Sequence, residues 1–325
     1  MEASSAPVPP AAELESRRSL TDRVGDAALK WVTAAAAAGS VALIGLIVYK
    51  VVDGARPSID RFGLAFVWHE TWNAVTDRYG ALDFVFGTAY TSAFAVLFAA
   101  PVSIAIGLYL SELAPSGVRG VVGSLVEMLA AIPSVVLGLW GILVLGPVVN
   151  HQFGPWLNTA FGWTPFFSSR PSSGSTMFTA VLVLTIMIVP ITASISRDLF
   201  LQVPQDIKEG ALGLGLTRWE MVRGVVLPYT RGGLIAAVLL GGGRAVGEAI
   251  AVAQVSGVTT HGLALNLFQT GDTLAAHIAS QYQGAASFLQ TASLFYLGVI
   301  LLVMSLVANF TAQVIVRRYA IQRAN

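Results

Sequence analysis

Six separate stretches of this chain are predominantly apolar and each runs for roughly 20 residues or more, the length an α-helix needs to cross the hydrocarbon core of a bilayer. They lie at about Trp31–Val52, Phe84–Leu110, Val121–Val149, Met177–Ile195, Gly233–Val255 and Gln290–Val316. Lipid offers no partner for a backbone N–H or C=O, so a span of this kind has to satisfy its own backbone as a helix. The pattern therefore predicts an all-α integral membrane protein with six transmembrane helices. Composition agrees: 55% of the residues are hydrophobic, only 11% are charged and the mean hydropathy is +0.70, against about 25% charge in a soluble domain.

Every span contains Gly, Pro, Ser or Thr, which close helix packing in lipid uses and tolerates. Pro101, Pro133 and Pro190 are expected to bend or break their helices, and the third span, with Pro133, Gly138, Gly141 and Gly146, is a candidate for a broken one. Orientation follows the basic residues. With the amino terminus inside, the cytoplasmic segments hold Arg17, Arg18, Arg23, Lys30, Arg119, Arg197, Lys208, Arg218, Arg223, Arg231, Arg317, Arg318 and Arg323, and the outside holds Lys50, Arg56, Arg61, Arg78 and Arg170. Both termini are then cytoplasmic. Residues 1–28 read as a disordered tail, the first 20 being rich in Ala, Pro, Ser and Glu, and residues 29–325 as the membrane domain. Basic residues ahead of a full-length first span suit a retained signal anchor. External segments fall at about 53–82, 150–175 and 256–289. The first carries Trp68, Trp72 and Tyr79, suited to an interfacial aromatic belt. The last has a weak helical pattern through Leu274, Ile278 and Tyr282 and reads as a docking surface, a re-entrant segment or a lipid-lying helix.

Several chemistries are excluded or left without residues. There is no cysteine, so disulfides, thiolate metal sites and thiol catalysis are absent. His69, His151, His261 and His277 are scattered without metal-ligand spacing, and no cofactor is implied. The basic residues are spread over several loops, which gives no nucleic-acid face. A phosphate-binding P-loop needs a Lys after a Gly. The three lysines, Lys30, Lys50 and Lys208, follow Leu, Tyr and Ile. Any ATP hydrolysis must come from another subunit.

Two charges sit where the bilayer makes them costly. Arg244 and Glu248 lie inside the fifth apolar stretch, at about 2.5–3.5 kcal/mol for a charge at the bilayer centre. Four residues apart on a helix, they share a face and can pair. An arginine fork suits an oxyanion, so one reading is an anion route; the other is a salt bridge clamping two helices. Two glycines four apart, Gly243 and Gly247, invite a second helix to this face, whereas Gly241, Gly242 and Gly243 also suit plain helix packing. Glu127 either lines the path or pairs near the cytoplasmic interface with an arginine such as Arg119.

The most specific stretch is the cytoplasmic loop, within residues 197–230, where Val203 to Pro228 reads VPQDIKEGALGLGLTRWEMVRGVVLP. Pro204, Asp206 and Glu209 favour a helix start. Gly213 and Gly215 weaken the helix, and a second short helix is expected over about Arg218–Val226, stopping before Pro228. A plain amphipathic surface helix explains the mix of apolar and basic residues but not the bend or the proline.

This loop resembles the EAA loop of ABC importer permeases: Glu209-Gly210-Ala211, three residues, Gly215, nine residues, Val225, one residue, then Leu227-Pro228. The departures are Gly210 for Ala and Val225 for Ile. The resemblance implies a type I importer permease in which Glu209, Ala211, Gly215 and Arg218, bounded by Pro228, form the surface that docks on an ATPase subunit. It implies that Gly215 permits the bend and that the apolar side of Trp219–Val226 fixes the loop to the bundle.

Further stretches are similar to permeases of the phosphate-specific transport system, PstC type. They are the external Phe62 to Ser92 segment, SELAP at Ser111 to Pro115, EMLAAIPSVVLGLWG at Glu127 to Gly141, TRWEMVRGVVLP, and GRAVGEAIAV at Gly243 to Val252. That resemblance implies a subunit of an ATP-driven phosphate importer. Its partners would be a second, homologous PstA-like permease, two copies of a PstB-like ATPase, an external PstS-like phosphate-binding protein, the phosphate ion and membrane lipid. The chain would perform no covalent chemistry. Arg244 would meet the ion, with Glu248 holding that arginine when no ion is present. A sulfate or molybdate permease is the nearest alternative. A passive anion channel keeps the arginine but gives no reason for the bent loop. A membrane enzyme lacks a nucleophile–base pair at depth.

Overall fold

The computed structural model describes residues 20–257, 262, 263 and 265–321. Residues 1–19, most of the expected tail, lie outside that range, as does His261. The chain divides into two units, residues 1–53 and 54–325. In the first, the described residues belong to helix α1, Leu20–Phe62, so helix begins within the stretch expected to be a tail. Residues 24–50 are all exposed, Trp31, Val41, Leu43 and Ile44 among them. A helix that is apolar all round has to be covered by lipid or protein.

The second unit holds α2 (Leu82–Leu108, continued by a wide π-type turn over Tyr109–Leu113), α3 (Ser116–Ala130), the helical run α4 (Ser134–Phe161) and α5 (Met177–Leu201). It continues with α6 (Gln205–Gly213), the helical run α7 (Arg218–Gly247), α8 (Ile250–Val255), α9 (Leu274–Gln281) and α10 (Phe288–Ile321). Among the described residues, six helical runs are long and apolar enough to cross a membrane: Val24–Val67, Leu82–Leu113, Ser134–Phe161, Met177–Leu201, Arg218–Gly247 and Phe288–Arg318. The fold is all-helical with six spans.

α5 is the central helix of this unit. Of its most apolar window 61% is buried, against 28% or less in any other span. Ala180, Val183, Leu184, Met187 and Ile188 pack with Ala95 and Ala99 of α2, Ala245 of α7, and Ala251, Val252 and Val255 of α8. Small residues permit the approach. A β-carbon at Gly107 would lie 2.8 Å from the Ser196 side chain and 3.0 Å from the Ala193 carbonyl, and one at Gly241 would lie 2.6 Å from Ile188. Without a hydrophobic drive between helices in lipid, such contacts carry the packing.

Several helix boundaries differ from the sequence expectation. The break expected in the third span falls at Ala131–Pro133, which leaves α3 separate and starts the span at Ser134 and not at Val121. Proline disfavours helix in the residue before it. Pro101 and Pro190, by contrast, sit inside continuous helices. Pro228 does not stop its helix either. A π-type turn over Val222–Val226 precedes it, which shifts the backbone register ahead of the proline. The fifth span is interrupted where no proline marks it: α7 ends at Gly247, Glu248 is extended (φ −73°, ψ 120°), and α8 restarts at Ile250.

The two broken spans meet. A β-carbon at Gly138 of α4 would overlap the Gln254 side-chain carbonyl and come within 2.9 Å of Ala251, both on α8. Irregular backbone at membrane depth is tolerated where protein covers it or water fills a cavity.

In the segment between the first two spans, the expected aromatic belt is only partly a belt. Trp68 is exposed, but Tyr79 is buried and Trp72 packs edge-on against Tyr79, Phe84 and His277. Burial pushes the Tyr79 phenol above its usual range. The segment with the weak helical pattern is α9, which starts at the Thr273 cap and buries Leu274, Ala275, Ala276 and His277. It is part of the bundle, not a helix lying on lipid.

Candidate functional site

The loop between α5 and α7 forms two helices around a glycine bend. Pro204 precedes α6, Gly215 takes φ +85°, a conformation that side-chain-bearing residues rarely adopt, and Thr217 caps the next helix. The Thr217 hydroxyl oxygen accepts from the Glu220 N–H at 3.3 Å, while the Glu220 carboxylate accepts from the Thr217 N–H at 2.8 Å, a reciprocal capping box.

The two sides of this loop differ in character. Inward, Val203, Ala211, Met221, Val222 and Val226 pack with Phe200 and Leu234. Ala211 therefore lies on the anchoring side, not on the surface where the resemblance placed it. Outward, Glu209, Gly215 and Arg218 are exposed. With them stand Leu214 at 86% and Trp219 at 63% exposure, and the charged Asp206, Glu220 and Arg223 of the same loop are exposed as well. Glu209, Arg218, Lys208 and Glu112 line a recess of about 240 Å³ between α6 and the start of α7. Exposed apolar side chains rimmed by charge mark a protein-binding face. The resemblance implied that the apolar side of Trp219–Val226 fixes the loop to the bundle: Val222 and Val226 do pack there, whereas Trp219 is exposed.

Arg244 lies three residues before the end of α7 and is exposed on the surface of this chain. It lines a groove of about 380 Å³ with Ile191, Leu240, Gly241, Gly243 and Asn309. The expected pairing with Glu248 does not form, because the helix ends between them. The Glu248 carboxylate instead accepts from the Ala251 N–H at 3.3 Å, capping α8. Of the glycines here, Gly241 packs on Ile188 and Thr192, and Gly242 on Val96, whereas β-carbons at Gly243 and Gly247 would meet nothing within 4 Å. The two four apart face away from their own subunit.

Glu127, near the end of α3, pairs with Arg197 of α5 at 3.1 Å, not with Arg119. The Arg119 guanidinium reaches the Ala114 carbonyl at 3.4 Å. A partner 70 residues away in sequence leaves no local signal.

An all-helical, six-span chain with a bent, charge-rimmed loop defines the class of importer permeases. Residues 100–321 match the family described as binding-protein-dependent transport system inner membrane component. The chain is 41% identical over 279 residues to the phosphate transport system permease protein PstC of Pasteurella multocida, covering 85% of this chain and 87% of that one. It is 39% identical to the PstC of Mesorhizobium japonicum, covering 89% and 88%. A crystal structure of a bacterial alginate ABC transporter, in complex with an alginate-bound periplasmic protein, shares the fold at 17% identity and TM-score 0.58, covering 90% of this chain and 97% of that one. The chain belongs to the binding-protein-dependent permease family, in its PstC branch.

Proposed function

We propose that this chain is the membrane-spanning permease subunit of an ATP-driven phosphate importer, and that it works between an external binding protein and a cytoplasmic ATPase. The observation that carries the substrate is the 36–41% identity to PstC permeases over most of the chain. It is a multi-pass protein of the inner membrane. The finer arrangement is our reading. Both termini face the cytoplasm, a second homologous permease covers the exposed Gly243–Gly247 face, and the ion passes between the two subunits. Two ATPase subunits dock on the paired loops, here through Glu209, Gly215 and Arg218 with Leu214 and Trp219, while Ala211 and Pro228 hold the loop in place.

Phosphate near neutral pH carries between one and two negative charges, and a low-dielectric passage has to offset them. Arg244 supplies a fixed charge with five donors. Glu248 borders the path and holds the break between α7 and α8 open. The test is ATP hydrolysis by the reconstituted four-part complex with phosphate, sulfate and molybdate in turn. Stimulation by phosphate with its binding protein is expected; stimulation by sulfate or molybdate alone would refute the substrate.

A further inference from the structure

The coupling loop touches the membrane helices through one buried ion pair that neither docking nor the ion path explains. Lys208 of α6 is directly before Glu209; unlike the exposed Glu209 it is buried, and it shares the recess that Glu209 and Arg218 also line. Its Nζ donates to the Glu112 carboxylate at 2.6 Å and to the Phe200 carbonyl at 3.1 Å. The two side chains are 5% and 10% exposed. Glu112 lies in the π-type turn that ends the second span. Phe200 lies in the last turn of α5, and its carbonyl also accepts from the Val203 N–H at 3.4 Å. One ammonium group thus joins the coupling helix to the cytoplasmic ends of α2 and of the central helix α5.

Stability does not account for the pair. Taking two charges out of water offsets most of their attraction, and apolar residues of similar volume usually serve as well or better. What an ion pair adds is register, because its geometry is satisfied in one arrangement only. Π-type turns are also frequent at functional sites, since the extra residue re-aims a side chain; here the turn places Glu112 at the end of α2, within reach of Lys208.

We propose that Lys208 and Glu112 form the strut that carries movement of the docked loop to α2 and α5, acting as positioning residues for transport and not as part of the docking face. This rests on the loop being the ATPase-docking element. The test uses the complete reconstituted complex and reads three things: ATPase retention on purification, ATP hydrolysis, and phosphate moved per ATP. In the double variant Lys208→Met with Glu112→Leu, the ATPase stays bound and hydrolysis persists, but phosphate moved per ATP falls by about tenfold or more. Lys208→Arg, which keeps the charge, retains the wild-type ratio. A wild-type ratio in the double variant overturns the strut, as does loss of the ATPase from it, or an equal loss in Lys208→Arg. Gly215→Asp run alongside separates the two ideas: wild-type binding and coupling in that variant would instead sink the docking loop.

Discussion

Lys208 and Arg244 are both cations in a largely apolar chain, and the fold treats them oppositely. Lys208 is buried and fully engaged by its own subunit, through Glu112 and Phe200. Arg244 is exposed in a groove, forms no ion pair among the described residues, and has been separated by a helix break from the acid that sequence spacing offered it. A buried charge with partners is committed to holding helices together. A charge at membrane depth that its own subunit leaves unmatched is available to something else, and the cost of placing it there is met only when a partner subunit, water or an anion arrives.

The largest effect that would sharpen this contrast is at Arg244. Arg244→Gln should leave the complex assembled and lower phosphate uptake in reconstituted vesicles by about 100-fold, equivalent to losing roughly 3 kcal/mol of charged hydrogen bonding. Retained uptake would put Arg244 outside the ion path and make it a helix-contact residue after all.

Next in size is the loop. Gly215→Asp forces a side chain into φ +85°, a strain of about 1–3 kcal/mol, at a point with open space around it. Uptake should fall by about tenfold, the loss that roughly 1.4 kcal/mol within that range produces, through loss of ATPase binding or of transport per ATP. Normal transport would remove the loop from coupling and leave Arg244 as the only functional cation of the pair under comparison.

How far these sites were legible follows from the range of the interactions involved. The six spans could be read because crossing a bilayer needs only a long run of apolar residues. The loop could be read because Glu209, Gly215, Leu227 and Pro228 keep a fixed spacing within one short segment. The interruption at Glu248 could not, since apolar residues continue on both sides and no proline announces it. Nor could the passage of helix through Pro228, which depends on the widened turn at Val222–Val226. The Lys208–Glu112 and Arg197–Glu127 pairs join residues 96 and 70 positions apart, and only tertiary packing brings them together. Even within the motif, spacing located Ala211 but not the side it faces.

A smaller effect is expected at Glu248. Because its carboxylate accepts from the Ala251 N–H, Glu248→Gln keeps an acceptor and should hold uptake within about threefold, whereas Glu248→Ala gives up a cap worth about 1 kcal/mol and should lose more. If Glu248→Gln fell as far as Arg244→Gln in the same vesicle assay, the negative charge itself would take part in ion passage, and the two residues would act together despite the helix break.

The smallest effect lies at the start of α7. Thr217→Ala removes the hydroxyl that caps Arg218–Met221, at about 1 kcal/mol, but the helical run it begins continues to Gly247 inside the bundle, so the loss stays in the first turn. Amide exchange at Glu220 and Met221, whose N–H groups bond to Thr217, should quicken by about fivefold, the population change that 1 kcal/mol produces, with uptake within about twofold of wild type. The contrast with Gly215→Asp is the informative part, since the two positions are two residues apart on the same exposed surface. A collapse of coupling in Thr217→Ala would mean that the ATPase depends on a rigid first turn of α7. Docking would then act through the fifth span directly, bypassing the α6 junction that Lys208 makes with α2 and α5.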